Sequence, residues 1–182
     1  LTANKKIKKL KTEVFLKNNS SHILFRRPEI SDAYSIWTLI KESPPLDLNS
    51  LYCYLIICTH FADTSIVAED PDGVCGFISA YIHPDNDNTL FVWQVVVKKE
   101  KIRQGIADGM LQSLLRRKHK KAIQYLETTV NPSNAASGAL FYSTAKSLNT
   151  KCNESVLFTE KDFGNQAHED EILYRIGPFD IT

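Results

Sequence analysis

Thr89 to Lys118 constrains the fold more than any other stretch of this chain. It begins TLFVWQVVV, β-branched and aromatic and apolar on both faces apart from Gln94, the composition of a strand buried in the middle of a sheet. It ends DGMLQSLLRRK, and from Ile106 onward Met110, Leu111, Leu114 and Leu115 recur at helical spacing, so one stripe packs back on the strand. Between the two lies a basic loop with Lys98, Lys99, Lys101 and Arg103, closing in the turn Gln104-Gly105-Ile106-Ala107. A strand, a basic glycine turn and a helix start predict a phosphate site, because free N–H groups and the positive helix end point at an anion.

The rest of the sequence bounds what can be built around this unit. At 182 residues one domain is expected, large enough for a proper core, with 43% apolar and 24% charged residues as in ordinary globular proteins. Lys plus Arg is 22 against 21 for Asp plus Glu, so the chain as a whole has no electrostatic reason to bind nucleic acid or a membrane, and anion binding must be local. Cys53, Cys58, Cys75 and Cys152 lack Cys-x-x-Cys and metal-ligand spacing; buried free thiols, no metal and a reducing, cytoplasmic compartment are expected. No apolar run is long enough to span a bilayer, and no signal peptide is visible.

Residues 1–20 carry Lys5, Lys6, Lys8, Lys9 and Lys11 and read as a poorly ordered, solvated leader, with 21–182 as a single domain. A nucleic-acid arm is the alternative for the leader. His22 to Arg26 predicts a first strand, and Ser31 or Asp32 caps a helix with Ile30, Tyr34, Trp37 and Ile40 on one face, stopped at Ser43-Pro44-Pro45. Asn49 or Ser50 caps a second helix with Leu51, Leu55 and Cys58 on one stripe. Asp47, in the short loop between these helices, either looks into a cleft or serves as a cap. Ser65 to Glu69 and Val74 to Ile82 form a hairpin across Asp70-Pro71-Asp72-Gly73, and the polar tract His83 to Asn88 links it to the central strand. A strand over Ala122 to Val130 lies parallel to the central one through a right-handed crossover, in an otherwise antiparallel sheet. A helix after Asn131-Pro132-Ser133-Asn134 and two last strands complete an α/β (α+β) fold, a mixed sheet flanked by helices.

Ile102 to Ala107 resembles the coenzyme A pyrophosphate loop of the GNAT superfamily of N-acetyltransferases, Gln/Arg-x-x-Gly-x-Gly/Ala, with Gly105 and Ala107 in register and Ile102 departing at the first position. The order of elements over about 22–176 carries the same resemblance. It implies acetyl-CoA as co-substrate, with the pantetheine arm between splayed parallel strands. Val95, Val96 and Val97 would contact that arm, Arg103, Gln104, Gly105, Ile106 and Ala107 the pyrophosphate, and Asn134 the arm from its helix start. The superfamily's frequent leaving-group Tyr falls on Phe141; Tyr142 is next to it but about 100° away on a helix.

Within the superfamily the chain is similar to the diaminobutyrate acetyltransferases, whose product leads to the osmolyte ectoine. The likeness rests on Arg-Arg-Pro with Asp32, Leu-Asp-Leu-Asn-Ser-Leu-Tyr at 46–52, Phe-Val-Trp-Gln-Val-Val-Val at 91–97, Asn-Pro-Ser-Asn-Ala-Ala-Ser at 131–137 and His-Glu-Asp-Glu at 168–171. It implies Asp47, Tyr52 and Glu171 as partners of the substrate's ammonium groups, Trp93 as a wall against its carbon chain, and a homodimer. A primary ammonium has a pKa near 10.4 and must lose a proton before attacking the thioester. Glu171, His168 and Asp47 are the candidate acceptors, directly or through water. Two rivals stand beside this reading: the same fold acting on another small amine such as a polyamine or ornithine, and a non-catalytic acyl-CoA-binding module, prompted by Phe141 and Ile102.

Overall fold

The computed structural model of the chain describes residues 14–18 and 21–181. Eight strands, Val14–Asn18 (β1), Ser21–Arg26 (β2), Ile66–Asp70 (β3), Gly73–His83 (β4), Asn86–Val97 (β5), Tyr125–Val130 (β6), Cys152–Phe158 (β7) and Glu171–Ile176 (β8), form one sheet in the order β1-β2-β3-β4-β5-β6-β8-β7. The helices are Ala33–Lys41 (α1), Leu51–His60 (α2), Ile106–Leu115 (α3) and Ala135–Ser147 (α4). Only β5 and β6 pair in parallel among the described strands, joined through α3 as the crossover. Lys5, Lys6, Lys8, Lys9 and Lys11 of the leader lie outside the described residues. Val14–Asn18, placed in that leader by the sequence reading, instead pairs antiparallel with β2, because Val14-Phe15-Leu16 is itself a short strand-forming run.

Two cores hold the layers. On one face α3 and α4 bury Ile106, Met110, Leu111, Leu114, Leu115, Phe141 and Ala145 against the sheet. The predicted α3 stripe is therefore fully used, and at roughly 1.5–3 kcal/mol per buried aliphatic side chain it fixes the helix start, and with it the Gly105 turn, to β5. On the other face Ala33, Ile36, Leu39, Ile40, Tyr54, Ile57 and Cys58 from α1 and α2 cover Val67, Phe77 and Val96.

The stripes of α1 and α2 differ from expectation. Ile30 and Tyr34 are 59% and 65% exposed, because a 3-10 turn over Ile30–Asp32 precedes α1 and advances the phase by about 120° per residue rather than 100°. In α2 the buried positions are Tyr54, Ile57 and Cys58, with Leu51 exposed and Leu55 half-buried; the helix is apolar nearly all round, so its sequence carries little phase. The tract His83 to Asn88 is a tight turn, since β5 already starts at Asn86.

Candidate active site

Thr89 to Val92 pairs with Tyr125 to Thr128, and there the parallel ladder stops. β5 runs on to Val97, whereas Thr129 and Val130 of β6 pair with β8. The strands part, leaving a gap that widens toward the Gly105 turn. A β-bulge marks the parting: Ser79 faces Gln94 and Ala80 faces Val92, so Trp93 is the extra residue, and the added twist bends β5.

Backbone polarity in the gap follows from alternation. The N–H groups of Gln94 and Lys98 turn toward β4, donating to Ser79 Oγ (3.2 Å) and the Cys75 carbonyl (2.8 Å). Val95 and Val97 therefore present their amides to the gap, while the Val96 amide turns toward β4 and its side chain is buried under α1 and α2. At the end of β5 the basic loop contains a 3-10 turn, Lys99–Lys101, then two left-handed residues, Arg103 (φ 65°) and Gly105 (φ 77°). Gly105 is the N-cap of α3, its carbonyl accepting from Gly109 N–H at 2.9 Å. The amides of the first α3 turn, Ile106 and Ala107 among them, have no partner within the helix and are open to an anion. Ile106 contributes backbone only, its side chain being buried in the core. Lys101 is ion-paired with buried Asp70, which ties the loop to the β3–β4 hairpin. Burial works against the Asp70 carboxylate, but Lys101 and the Asp72 amide hold its pKa below the usual value. Asn134 is the N-cap of α4, as expected, its Oδ1 accepting from Ser137 N–H at 3.1 Å. Phe141 is buried in the core and offers no acid; Tyr142 is exposed and packs against Tyr174, ring centroids 5.5 Å apart.

The acceptor-side residues gather on the opposite face. Cross-strand pairs Tyr81–Phe91, Phe91–Glu127 and Glu127–Arg175 share one face with Phe77 and Ser79, the face covered by α1 and α2. By alternation along β8, Glu171 projects there too, at the wide end of the gap. His168 Nε2 lies 3.7 Å from Glu171 Oε1, both side chains being largely shielded. Their loop is braced: His168 stacks on Phe163, Glu169 accepts from Ser133 N–H at 3.0 Å, and Asp170 from Glu160 N–H at 2.8 Å. Across the gap the α1–α2 loop carries exposed Asp47, and Tyr52 at the start of α2 is 70% exposed. Ser50 is the cap of α2, accepting from Cys53 N–H at 3.3 Å, so Asp47 does not cap that helix. Trp93 is 46% exposed at the bulge.

Two residues absent from the sequence reading of the acceptor side join these parts. Gln94, 6% exposed, donates from Nε2 to the Asp47 carbonyl at 2.8 Å and accepts from the Tyr54 hydroxyl at 3.3 Å. A lone amide side chain in the apolar run from Leu90 to Val97 was the available signal; its partner 47 residues away was not. Among the described residues no cluster of His, Cys, Asp and Glu could hold a metal, and no helix is long and apolar enough to cross a membrane.

A helix start with open amides on one face, acid and aromatic side chains on the other, and a gap lined with amides between them suit an acyl-CoA-dependent transferase. The sequence profile of the acetyltransferase (GNAT) family matches residues 30–143, more than half of the chain. The chain belongs to the GNAT family and is an acetyl-transferring enzyme with acetyl-CoA as donor. Among curated relatives it is similar to the L-2,4-diaminobutyric acid acetyltransferases of Virgibacillus pantothenticus, 47% identical over 83% of this chain and 95% of that one, and of Marinococcus halophilus, 43% identical over 86% and 91%. Among solved structures, the diaminobutyrate acetyltransferase of Paenibacillus lautus in complex with L-2,4-diaminobutyric acid and coenzyme A aligns at a TM-score of 0.84, with 42% identity over 89% of this chain and 98% of that one.

Proposed function

We propose that the chain acetylates L-2,4-diaminobutyrate at its γ-amine, giving N-γ-acetyl-L-2,4-diaminobutyrate on the route to the osmolyte ectoine. The observation that carries the reading is the pairing of an acidic, aromatic acceptor face with the amide-lined gap: the substrate has two ammonium groups and one carboxylate, and Asp47 and Glu171 flank the gap with opposite charge to the ammonium groups. The thioester sits in the gap between β5 and β6, its carbonyl oxygen toward the Val95 amide, which stabilises the negative charge that develops there. The γ-ammonium gives a proton to Glu171, with His168 beside it as relay. The freed amine attacks the thioester carbon, the C–N bond forms, the C–S bond breaks, and the departing thiolate, with a pKa of about 8.5, takes up the second proton that the nitrogen sheds as the amide forms, so no protein acid is required. Asp47 and Tyr52 hold the α-ammonium, and Trp93 walls the carbon chain.

A homodimer in the cytoplasm belongs to the same reading. Exposed Val156, Leu157 and Phe158 on the edge strand β7 support the first, and four free thiols, two of them buried, are in keeping with a reducing compartment. Product formed from carbonyl-labelled acetyl-CoA and diaminobutyrate tests the chemistry by NMR. Coupling of the label to the γ-methylene side is expected; label at the α nitrogen would reverse the assigned roles of Asp47 and Glu171.

A further inference from the structure

Gln94 is a buried amide whose neighbours along β5, Val92, Val95 and Val96, pack into the apolar cores, and its polar atoms are engaged. Nε2 donates to the Asp47 carbonyl at 2.8 Å, Oε1 accepts from the Tyr54 hydroxyl at 3.3 Å, and the same hydroxyl accepts from Asn49 N–H at 3.3 Å. The Gln94 backbone N–H donates to Ser79 Oγ at 3.2 Å, on the β4 side of the bulge that makes Trp93 the extra residue. Tyr54, fully buried, is packed edge-on against Phe77. Two of these bonds, Gln94 Nε2 to the Asp47 carbonyl and Asn49 N–H to the Tyr54 hydroxyl, tie the short loop between α1 and α2 to the centre of the sheet. Buried polar side chains with complete partners specify one arrangement, and losing one partner leaves another unsatisfied.

We infer that Gln94 is the positioning residue of the acceptor pocket, setting the Asp47 loop in register with the Trp93 bulge and thereby the selectivity for an amine that carries a second ammonium. The inference rests on the proposed acceptor role of Asp47. Gln94 itself touches no reacting atom. Its backbone fixes one wall and its side chain the other, so a single residue sets their spacing.

The test compares diaminobutyrate with 4-aminobutyrate, the same chain without the α-ammonium, in Gln94→Leu, Tyr54→Phe and Asp47→Asn. With diaminobutyrate, Gln94→Leu should lose at least about tenfold in kcat/KM, chiefly through KM, and Tyr54→Phe about threefold. With 4-aminobutyrate, and in KM for acetyl-CoA, Gln94→Leu and Tyr54→Phe should stay within about twofold of the wild type, so that their loss with diaminobutyrate is one of selectivity and goes in the same direction as that of Asp47→Asn. A general loss of folding would lower both amines alike and would overturn the role, as would unchanged selectivity. Amide hydrogen exchange across 42–50 gives a readout independent of substrate: faster exchange in Tyr54→Phe and Gln94→Leu is expected, and unchanged exchange contradicts the inference. If the wild type does not acetylate diaminobutyrate the substrate reading fails, while the exchange measurement still decides whether Gln94 holds the loop.

Discussion

His168 Nε2 stands 3.7 Å from Glu171 Oε1, and the imidazole is held there by lying flat on Phe163, ring centroids 3.7 Å apart and planes 10° from parallel. This places a carboxylate and an imidazole together at the wide end of the gap. Glu171→Gln keeps the shape and removes the proton acceptor, so kcat should fall about 10²–10⁴-fold. Trp93→Ala should also lower turnover strongly by opening the wall of the pocket. Acetyl-CoA affinity, measured by calorimetry, should be nearly unchanged in both; its loss instead would assign these side chains to the cofactor.

Gly105 has φ 77°, and an added Cβ would meet nothing within 4 Å. Any effect of Gly105→Ala is therefore conformational rather than a clash, at about 1–2 kcal/mol for a residue forced left-handed. The turn relieves that strain by rotating the first α3 amides off the phosphates. Coenzyme A should bind about tenfold more weakly, by calorimetry, with the amine KM little changed.

Arg26 clamps the start of α1 through two bonds to Asp32, at 2.6 and 2.8 Å, and one to Glu69 at 2.5 Å. Burial would raise the Asp32 pKa, but the Arg26 bonds and the Glu29 amide hold it below its ordinary 3.8. Its stabilisation is therefore complete above pH 3.8 and is lost as pH falls through the lower folded value. Asp32→Asn should cost about 2–4 kcal/mol at neutral pH, with the gap to wild type closing in acid. Urea unfolding at pH 7, 4 and 3 checks both; a constant gap would show that the carboxylate's charge is not what matters.

Burial pushes the thiols of Cys58 and Cys75 up to about 11, assisted by Asp32 and Asp70 respectively. At pH 8 roughly one thiol in a thousand is then thiolate, so both should resist iodoacetamide in the native protein and react fully in denaturant. Mass spectrometry of the peptides reports this. Activity should survive the native treatment, as expected for direct attack in a ternary complex; rapid labelling of either residue with inactivation would restore a cysteine intermediate.

The strand, turn and helix proposed to hold the cofactor were legible in the sequence because their signals are local. A strand, a left-handed glycine and a helix N-terminus lie within some twenty consecutive residues, and the α3 stripe had one strong phase. The phases of α1 and α2 were not legible, the first because a 3-10 turn offsets its start and the second because nearly every position is apolar. Val96 was grouped with Val95 and Val97, although strand alternation turns its amide to β4, a distinction that needs the register with Ser79 and Cys75. The acceptor half depends on contacts between distant segments: Gln94 with Asp47, Ser133 with Glu169, and the ion pair of Glu127 with Arg175. Only the topology of the sheet brings these together.

The most direct test of the central claim is the initial rate of thiol release from acetyl-CoA by purified protein with L-2,4-diaminobutyrate, ornithine, lysine and putrescine at equal concentrations. A preference for diaminobutyrate of about 10²-fold or more in kcat/KM is predicted, because ornithine and lysine lengthen the span between the two ammonium groups and putrescine lacks the carboxylate. Equal or faster turnover of another amine would retain the acetyltransferase and contradict the substrate, and no turnover of any of them would contradict the reaction itself.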